Sequence, residues 1–428
     1  MARRSLPLAP PGPPAVRGRS LNPVARPADA VRPRYAVWEI TLACDLACRH
    51  CGSRAGRARP DELNTAEALA TVRQLAELGI EEVIIIGGEA YLREDWTEIA
   101  AALVAAGIDT SMTTGGRGIT PERAQQAKDA GLSTVSVSID GLEATHDKLR
   151  AVRGSYRQAF AALEHFKQVG MPISVNTQIC AANLREVEPL FEQLRPLGIH
   201  SWQVQLTVAM GRAADNPELL LQPYQMLEVM PLVARLKRLA EGAGIVLWPG
   251  SNIGYFGPYE SLLRDDSPDG FATSCGAGVD TLGLEANGDI KGCPSLPTTA
   301  YVGGNIRDHG LVDVWERADA LRINRRRTTS GLWGYCADCY YADACKSGCS
   351  WTSHVLFGRR GNNPMCHHRA LELLRDGLRE RIVPQTPAEG EPFDHATFEL
   401  VVEAWPPHLL ARAQELARGA DTWLDAPR

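Results

Sequence analysis

The 428-residue chain has no run approaching the roughly 18–20 consecutive apolar residues that a bilayer crossing needs; its candidates are as short as Val83 to Ile86. No membrane span is expected. Nor is there an excess of positive charge, since 45 Lys and Arg against 51 Asp and Glu give a formal −6. That balance argues against a dedicated nucleic-acid binder. Residues 1–33 nearly lack acids, holding Asp29 alone beside six arginines and eight prolines. So many prolines exclude the amphipathic helix of a transit peptide, and no apolar core of a secretory signal is present. The segment reads as a disordered Pro/Arg-rich arm. Without an export signal the expected location is the cytoplasm, a reducing compartment.

With 44% hydrophobic and 22% charged residues, the composition is that of a folded globular protein large enough for a barrel-sized domain and a smaller one. From 35 to about 245, β-branched runs alternate with amphipathic helical stretches. The runs are Tyr35–Thr41, Glu82–Gly88, Asp109–Gly116, Thr134–Asp140, Pro172–Cys180 and Ser201–Val208. Helices are expected near 66–79, 97–107, 121–130, 156–169 and 184–197, with spacing such as Ala68, Val72, Leu75, Leu78. Six strand–helix units imply an α/β fold with a parallel sheet, either a barrel that does not fully close or an open doubly wound sheet. The unusual residues all fall after strands: Cys44, Cys48 and Cys51 after the first, Gly87-Gly88-Glu89 ending the second, Thr113 to Gly116 ending the third, Ser138-Ile139-Asp140 ending the fourth. In barrels and open α/β sheets alike, that end carries the active site.

Eleven cysteines are too unevenly placed for a disulfide framework. Clustered thiols in a reducing compartment more often hold metal. Cys44, Cys48 and Cys51 put three soft ligands within eight residues, which suits a zinc ion or three corners of a [4Fe–4S] cube. Seven more lie between Cys275 and Cys366, in a glycine-, proline- and aromatic-rich region with little apolar core of its own. Cys180 stands alone on a strand and reads as a small hydrophobe. A helix is expected at His368–Arg381, then a Pro/Glu-rich linker and a short amphipathic tail over 393–418.

Cys-x3-Cys-x2-Cys after a first strand, with Gly-Gly-Glu ending the second, resembles the radical S-adenosylmethionine (SAM) superfamily. The seven later cysteines, Cys275, Cys293 after Gly288, Cys336, Cys339, Cys345, Cys349 and Cys366, resemble the SPASM extension of that superfamily. The resemblance implies a partial (β/α)6 barrel over 34–249, a linker loop and SPASM domain over 250–383, and a linker and tail over 384–428. It implies SAM and three iron–sulfur clusters as cofactors. Cys44, Cys48 and Cys51 would hold the SAM-binding [4Fe–4S] cluster. Cys336, Cys339, Cys345 and Cys366 would hold an outer auxiliary cluster, and Cys275, Cys293 and Cys349 an inner one, both of [4Fe–4S] type. The fourth inner ligand stays open, since Thr281 stands where some relatives have cysteine; Asp280 or an exchangeable ligand would complete it. Zinc is the alternative for the 336–349 block.

SAM contacts carried over by the same resemblance are Gly87, Gly88 and Glu89 for the methionyl group, Ser138 and Asp140 for the ribose, Arg150 or Arg153 for the methionyl carboxylate, and Asn176 and Gln178 on the fifth strand. The implied activity is reductive cleavage of SAM to a 5′-deoxyadenosyl radical, acting on a residue of a ribosomally made peptide by cross-linking, epimerisation or backbone excision. The implied partners are a precursor peptide or protein, a separate leader-recognition protein, and a flavodoxin- or ferredoxin-like reductant. The alternatives are a sulfatase-type formylglycine maturase, disfavoured because Pro294 follows Cys293 where that group carries aspartate, and an enzyme of small-molecule or quinone-cofactor biosynthesis. A non-catalytic zinc scaffold is the remaining reading.

Overall fold

The computed structural model describes residues 31–265, 271 and 274–424, so most of the proline-rich arm lies outside the described residues. Strands β1 (Tyr35–Glu39), β2 (Glu82–Ile86), β3 (Asp109–Thr114), β4 (Thr134–Ser138), β5 (Ile173–Ile179), β6 (Ser201–Leu206) and β7 (Val246–Pro249) run parallel and pair in sequential order. Helices α1 (Thr65–Leu78), α2 (Trp96–Ala105), α3 (Pro121–Asp129), α4 (Glu143–Arg150), α5 (Ser155–Gln168) and α6 (Val187–Leu194) fill the first five crossovers. Local chemistry sets their ends. Asn64 accepts from the Glu67 amide while the Glu67 side chain accepts from the Asn64 amide, a reciprocal N-cap, and Gly79 in the left-handed region stops α1.

Strand order decides between the two sheet alternatives. A doubly wound sheet reverses direction at its first strand, whereas here β1 to β7 follow one another across the sheet. A seventh parallel strand, Val246–Pro249, extends the six expected from sequence; at four residues its apolar run is too short to stand out. The barrel does not close, because the free side of β1 pairs with β8 (Thr281–Leu284), which leads into the antiparallel strands β9 (Asp289–Lys291) and β10 (Val302–Asn305). The cysteine-rich region is therefore stitched into the barrel sheet, giving one mixed ten-stranded sheet.

Alternation along the strands separates two faces. Trp38, Val83, Ile85, Met112, Val135, Val137, Val175, Trp202 and Val204 are buried in the main apolar core beneath the helices. The opposite positions on β4 to β6 are Thr134, Ser136, Ser138, Ser174, Asn176, Gln178, Ser201, Gln203 and Gln205, each a hydroxyl or an amide. The inner wall is polar and uncharged across these three strands, and most of its residues are half-buried.

Toward the carboxyl end the structure corrects the sequence reading. The helix expected to reach Arg381 stops at Arg375, and Gly377 in the left-handed region turns the chain into β11 (Leu378–Thr386). β11 pairs antiparallel with β12 (Thr397–Ala404), so the segment from 384 is a hairpin and not a linker. Pro384 is tolerated because this two-stranded sheet is all edge. A helix, Pro407–Leu424, follows.

The hairpin tip reaches back to both margins of the open barrel. The Asp394 carbonyl accepts from the Gly211 amide just after β6 at 2.8 Å, and its carboxylate accepts from Arg54 Nε at 2.7 Å. On the β1 side, Phe393 places its ring 4.0 Å from Lys291 Nζ. Lys291 pairs with Glu285 at 2.6 Å, and Arg59 joins Glu285 at 2.8 Å and Glu39 at 3.4 Å. Burial pushes the Glu39 carboxyl up from 4.5 to about 8, against the pull of Arg59. The folded chain thus keeps a proton that the unfolded chain releases from about pH 4.5, and this part of its stability is lost as pH rises through about 8. Unfolding midpoints in urea at pH 5.5 and pH 8.5 should fall at the higher pH, and Glu39→Gln should flatten that difference. An unchanged difference in the Gln variant would remove Glu39 as its source.

Candidate functional site

The loop from Cys44 to Cys51 leaves β1 and is held mainly by main-chain bonds. The Cys44 amide donates to Gly56 O at 3.0 Å, the Glu89 amide to Ala43 O at 2.7 Å, and the Arg49 amide to Leu149 O at 2.8 Å. Arg212, beyond β6, closes the loop from the far side: its amide donates to Cys51 O, its Nε to Cys48 O at 2.7 Å, and both Nη atoms to Ala55 O. Arg117 donates to Asp45 O. Arg212 is noticeable in sequence only as a residue after the sixth strand that could face the cavity, and Arg117 not at all, because the acceptors are carbonyls and carry no residue signature. Burial pushes the Cys44 thiol up to about 12 and Cys48 up to about 11, with Arg150 opposing the second. To act as metal ligands both thiols must release their protons as the metal binds.

Gly87 and Gly88 are required by the loop itself. A Cβ on Gly87 would meet Thr41 O at 2.6 Å, and one on Gly88 would meet Ala43 O at 2.2 Å and Cys44 Cβ at 2.7 Å. The close approach of β2 to the root of the cysteine loop thus accounts for both glycines, beside whatever room they leave for a ligand. Glu89 is 2% exposed, and its carboxylate accepts from Thr114 Oγ1 and from the Gly115 amide at 2.7 Å, tying the ends of β2 and β3. Burial raises it to about 7. Ligand atoms of Cys44, Asp45 and Glu89 lie within 4.8 Å of one another.

Asp140 and Arg150 are placed differently from the sequence expectation. Asp140 is 0% exposed, and both its oxygens are engaged: Oδ1 accepts from the Gln178 amide at 2.8 Å, while Oδ2 meets His50 Nε2 at 2.9 Å and Arg150 Nη2 at 2.5 Å. No edge remains for a ribose. Burial alone would raise this carboxyl, but Arg150 and His50 outweigh it and hold it well below the usual range. Arg150, also buried, pairs with Asp140 and directs Nη1 toward Cys48 Sγ at 3.6 Å, while its Nε has no partner among the described residues. The trio is a buried support that joins the cysteine loop to α4 and β5. Arg153, the other arginine considered, is exposed. Ser138, Asn176 and Gln178 do share the open inner wall, with Ser138 in register with Asn176.

The seven later cysteines separate into two sets. Cys336, Cys339, Cys345 and Cys366 line one cavity together with Tyr255, Phe256, Tyr341 and His368. Cys275 and Cys293 pack together with Ala277, Leu296, Tyr301 and Trp351. Cys349 belongs with them electrostatically, since Cys275 and Cys349 both oppose ionisation of Cys293, whose thiol burial pushes up to about 12. Cys349 also packs with Tyr255, Phe256 and Tyr341 of the first set. Four thiols around one cavity and three more beside it are donor sets that fit iron–sulfur clusters. Asp280 is turned toward Thr281 Oγ1, at 2.9 Å. Cys180 is buried against Leu149 and Leu219, as a small hydrophobe should be.

The glycine-rich segment 250–260 lies against these thiols. Tyr255 Oη accepts from the Cys349 amide at 3.1 Å and donates to Ser251 O, while the Tyr255 carbonyl lies 3.5 Å from Cys366 Sγ. Trp351, after Cys349, donates to Met210 Sδ at 3.0 Å, and Met210 packs close to Gly52 of the first cysteine loop. These bridging roles rest on long-range contacts that leave no spacing pattern.

Comparison with known proteins agrees with this geometry. A family model described as the radical SAM superfamily matches residues 38–194, and one described as SPASM, an iron–sulfur cluster-binding domain, matches 275–340. The AdoMet-dependent heme synthase of Methanosarcina barkeri is 29% identical over 348 residues, covering 79% of this chain and 97% of that protein. The mycofactocin maturase MftC of Mycolicibacterium smegmatis is 28% identical over 327 residues, covering 74% and 78%. Streptococcus suis SuiB bound to S-adenosylmethionine shares the fold, with a TM-score of 0.61 at 18% identity over 78% of this chain and 76% of that one. Among the described residues no helix is long and apolar enough to cross a membrane. This chain carries a radical SAM domain followed by a carboxy-terminal SPASM domain, and it belongs with the radical SAM/SPASM proteins.

Proposed function

We propose that this radical SAM oxidoreductase acts in cofactor biosynthesis, on a compact small molecule held by hydrogen bonds inside the open barrel. The observation that carries the reading is the inner wall of β4 to β6, where every inward position is a neutral hydroxyl or amide. Such a wall offers hydroxyl and amide donors to substrate carboxylates as well as acceptors, and it discriminates strongly against analogues that lack the matching group. The heme synthase relative, matched over nearly its whole length, supports a haem precursor as the class to test first. This departs from the ribosomally made peptide that the sequence alone suggested, although similarity to the PqqA peptide cyclase of Rhizobium meliloti keeps a peptide as the second reading.

In this reading Cys44, Cys48 and Cys51 hold a [4Fe–4S] cluster. Gly87, Gly88, Glu89, Ser138, Asn176 and Gln178 border SAM. Cys336, Cys339, Cys345 and Cys366 hold the outer auxiliary cluster, and Cys275, Cys293 and Cys349 the inner one. SAM on the first cluster supplies one-electron cleavage of a sulfonium and abstraction of a hydrogen atom. The chain's own part is to fix the cysteine loop through Arg212 and the Asp140 trio. A low-potential flavodoxin- or ferredoxin-like protein is the proposed reductant.

The test is anaerobic turnover with SAM and dithionite, offering an iron coproporphyrin in one arm and a short synthetic precursor peptide in the other. The expected result is a several-fold rise in 5′-deoxyadenosine with the tetrapyrrole, and a mass change in it. Stimulation by the peptide alone would overturn the small-molecule reading.

A further inference from the structure

Cys345 and Cys349 belong to different auxiliary sites yet are separated by three residues, Lys346, Ser347 and Gly348. All three adopt the left-handed region, with φ of 48°, 63° and 57°. Two of them are not glycine, so the turn sits in a conformation that L-residues rarely hold unless the surroundings impose it. The surroundings are visible. On one side the Tyr255 ring presses on Gly348, where a Cβ would meet ring carbons at 2.5 Å. On the other side Arg327 donates from Nη2 to Ser347 Oγ at 2.8 Å, and from Nη1 to Ser350 Oγ at 3.2 Å and Gly348 O at 3.4 Å. One guanidinium thus grips the residues on both sides of Cys349.

We propose that Arg327 is a positioning residue that clamps this turn and sets the reduction potential of the inner auxiliary cluster. The proposal rests on the cluster assignment made above. A fixed positive charge beside a cluster favours its reduced, more negative form, so it raises the potential; the guanidinium keeps that charge at every accessible pH. Burial works against the charge, and the thiols of Cys275, Cys345 and Cys349 counter the burial. The same turn carries one thiol of each set, so the clamp also fixes the spacing of Cys345 and Cys349.

The experiment is an EPR-monitored redox titration of the reconstituted full chain, with dithionite as the electron donor and mediators present. Each step is the one-electron reduction of an oxidised cluster. Wild type is measured beside Arg327→Gln and Arg327→Lys, with iron content determined for each. With full iron retained, Arg327→Gln should lower the inner-cluster potential by about 59 mV, a tenfold change in the one-electron equilibrium. Arg327→Lys should recover at least half of that shift, while the SAM-cluster potential stays where it was. Unchanged potentials in the Gln variant would overturn the proposal. So would loss of auxiliary iron in both variants, which would make Arg327 a folding residue only. Wild type without auxiliary iron would instead overturn the cluster assignment, before Arg327 is reached.

Discussion

Cys44→Ala is expected to bring 5′-deoxyadenosine formation down to the level seen without enzyme while leaving the rest of the protein assembled. Three thiolates are the fewest that hold a cube with one open iron, and the two remaining, Cys48 and Cys51, do not suffice. The fold should survive, since the Cys44 anchor is its amide bond to Gly56 O and the neighbouring Glu89 bond runs to Ala43 O; neither uses the thiol. The other two thiol sets sit on separate elements of the carboxy-terminal region. Iron should therefore fall from about twelve to about eight per chain, and the auxiliary EPR signals should remain. Deoxyadenosine still formed by this variant would remove the Cys44 loop from the chemistry.

The second large effect belongs to the Asp140 and Arg150 pair. Arg150→Met should destabilise the chain by about 3–5 kcal/mol, because it leaves a fully buried carboxylate with His50 as its one remaining side-chain partner. Asp140→Leu should cost a similar amount by stranding the guanidinium. The double variant should regain much of the loss, as the replacement of a whole buried ion pair by apolar groups often does. In either single variant the first cluster should be lost more easily on dilution, while the fraction that retains it should show a nearly unchanged KM for SAM. A KM raised tenfold in a stable Asp140→Leu protein would instead return Asp140 to the ribose.

That contrast marks where sequence was informative. The six strand runs were legible because each is a β-branched stretch with helical spacing behind it, and the cysteines because metal chemistry fixes both residue type and spacing. Asp140 sat at the right strand end with the right functional group, yet its partners His50 and Arg150 come from two other elements, so its saturation could not be read from the chain. Gly87 and Gly88 were singled out as leaving room for a methionyl group, while the atoms nearest a Cβ there belong to Thr41, Ala43 and Cys44, a close approach that the chain alone does not display. β11 escaped because charged residues and Pro384 interrupt its apolar alternation, and its pairing is settled by β12 and not by its own composition.

The hairpin tip has a bearing on how the protein is made. Residues 393 to 396 are what bridge the two margins of the open barrel, through Phe393, Asp394 and the His395 pairing to Met210. The last cysteine is Cys366. During synthesis from the amino terminus, every thiol has been joined to the chain before the segment that spans the gap exists. The order of residues along the polypeptide thus acts as a clock: the contacts that join the loop after β6 to the β1 side are made after every thiol is in the chain.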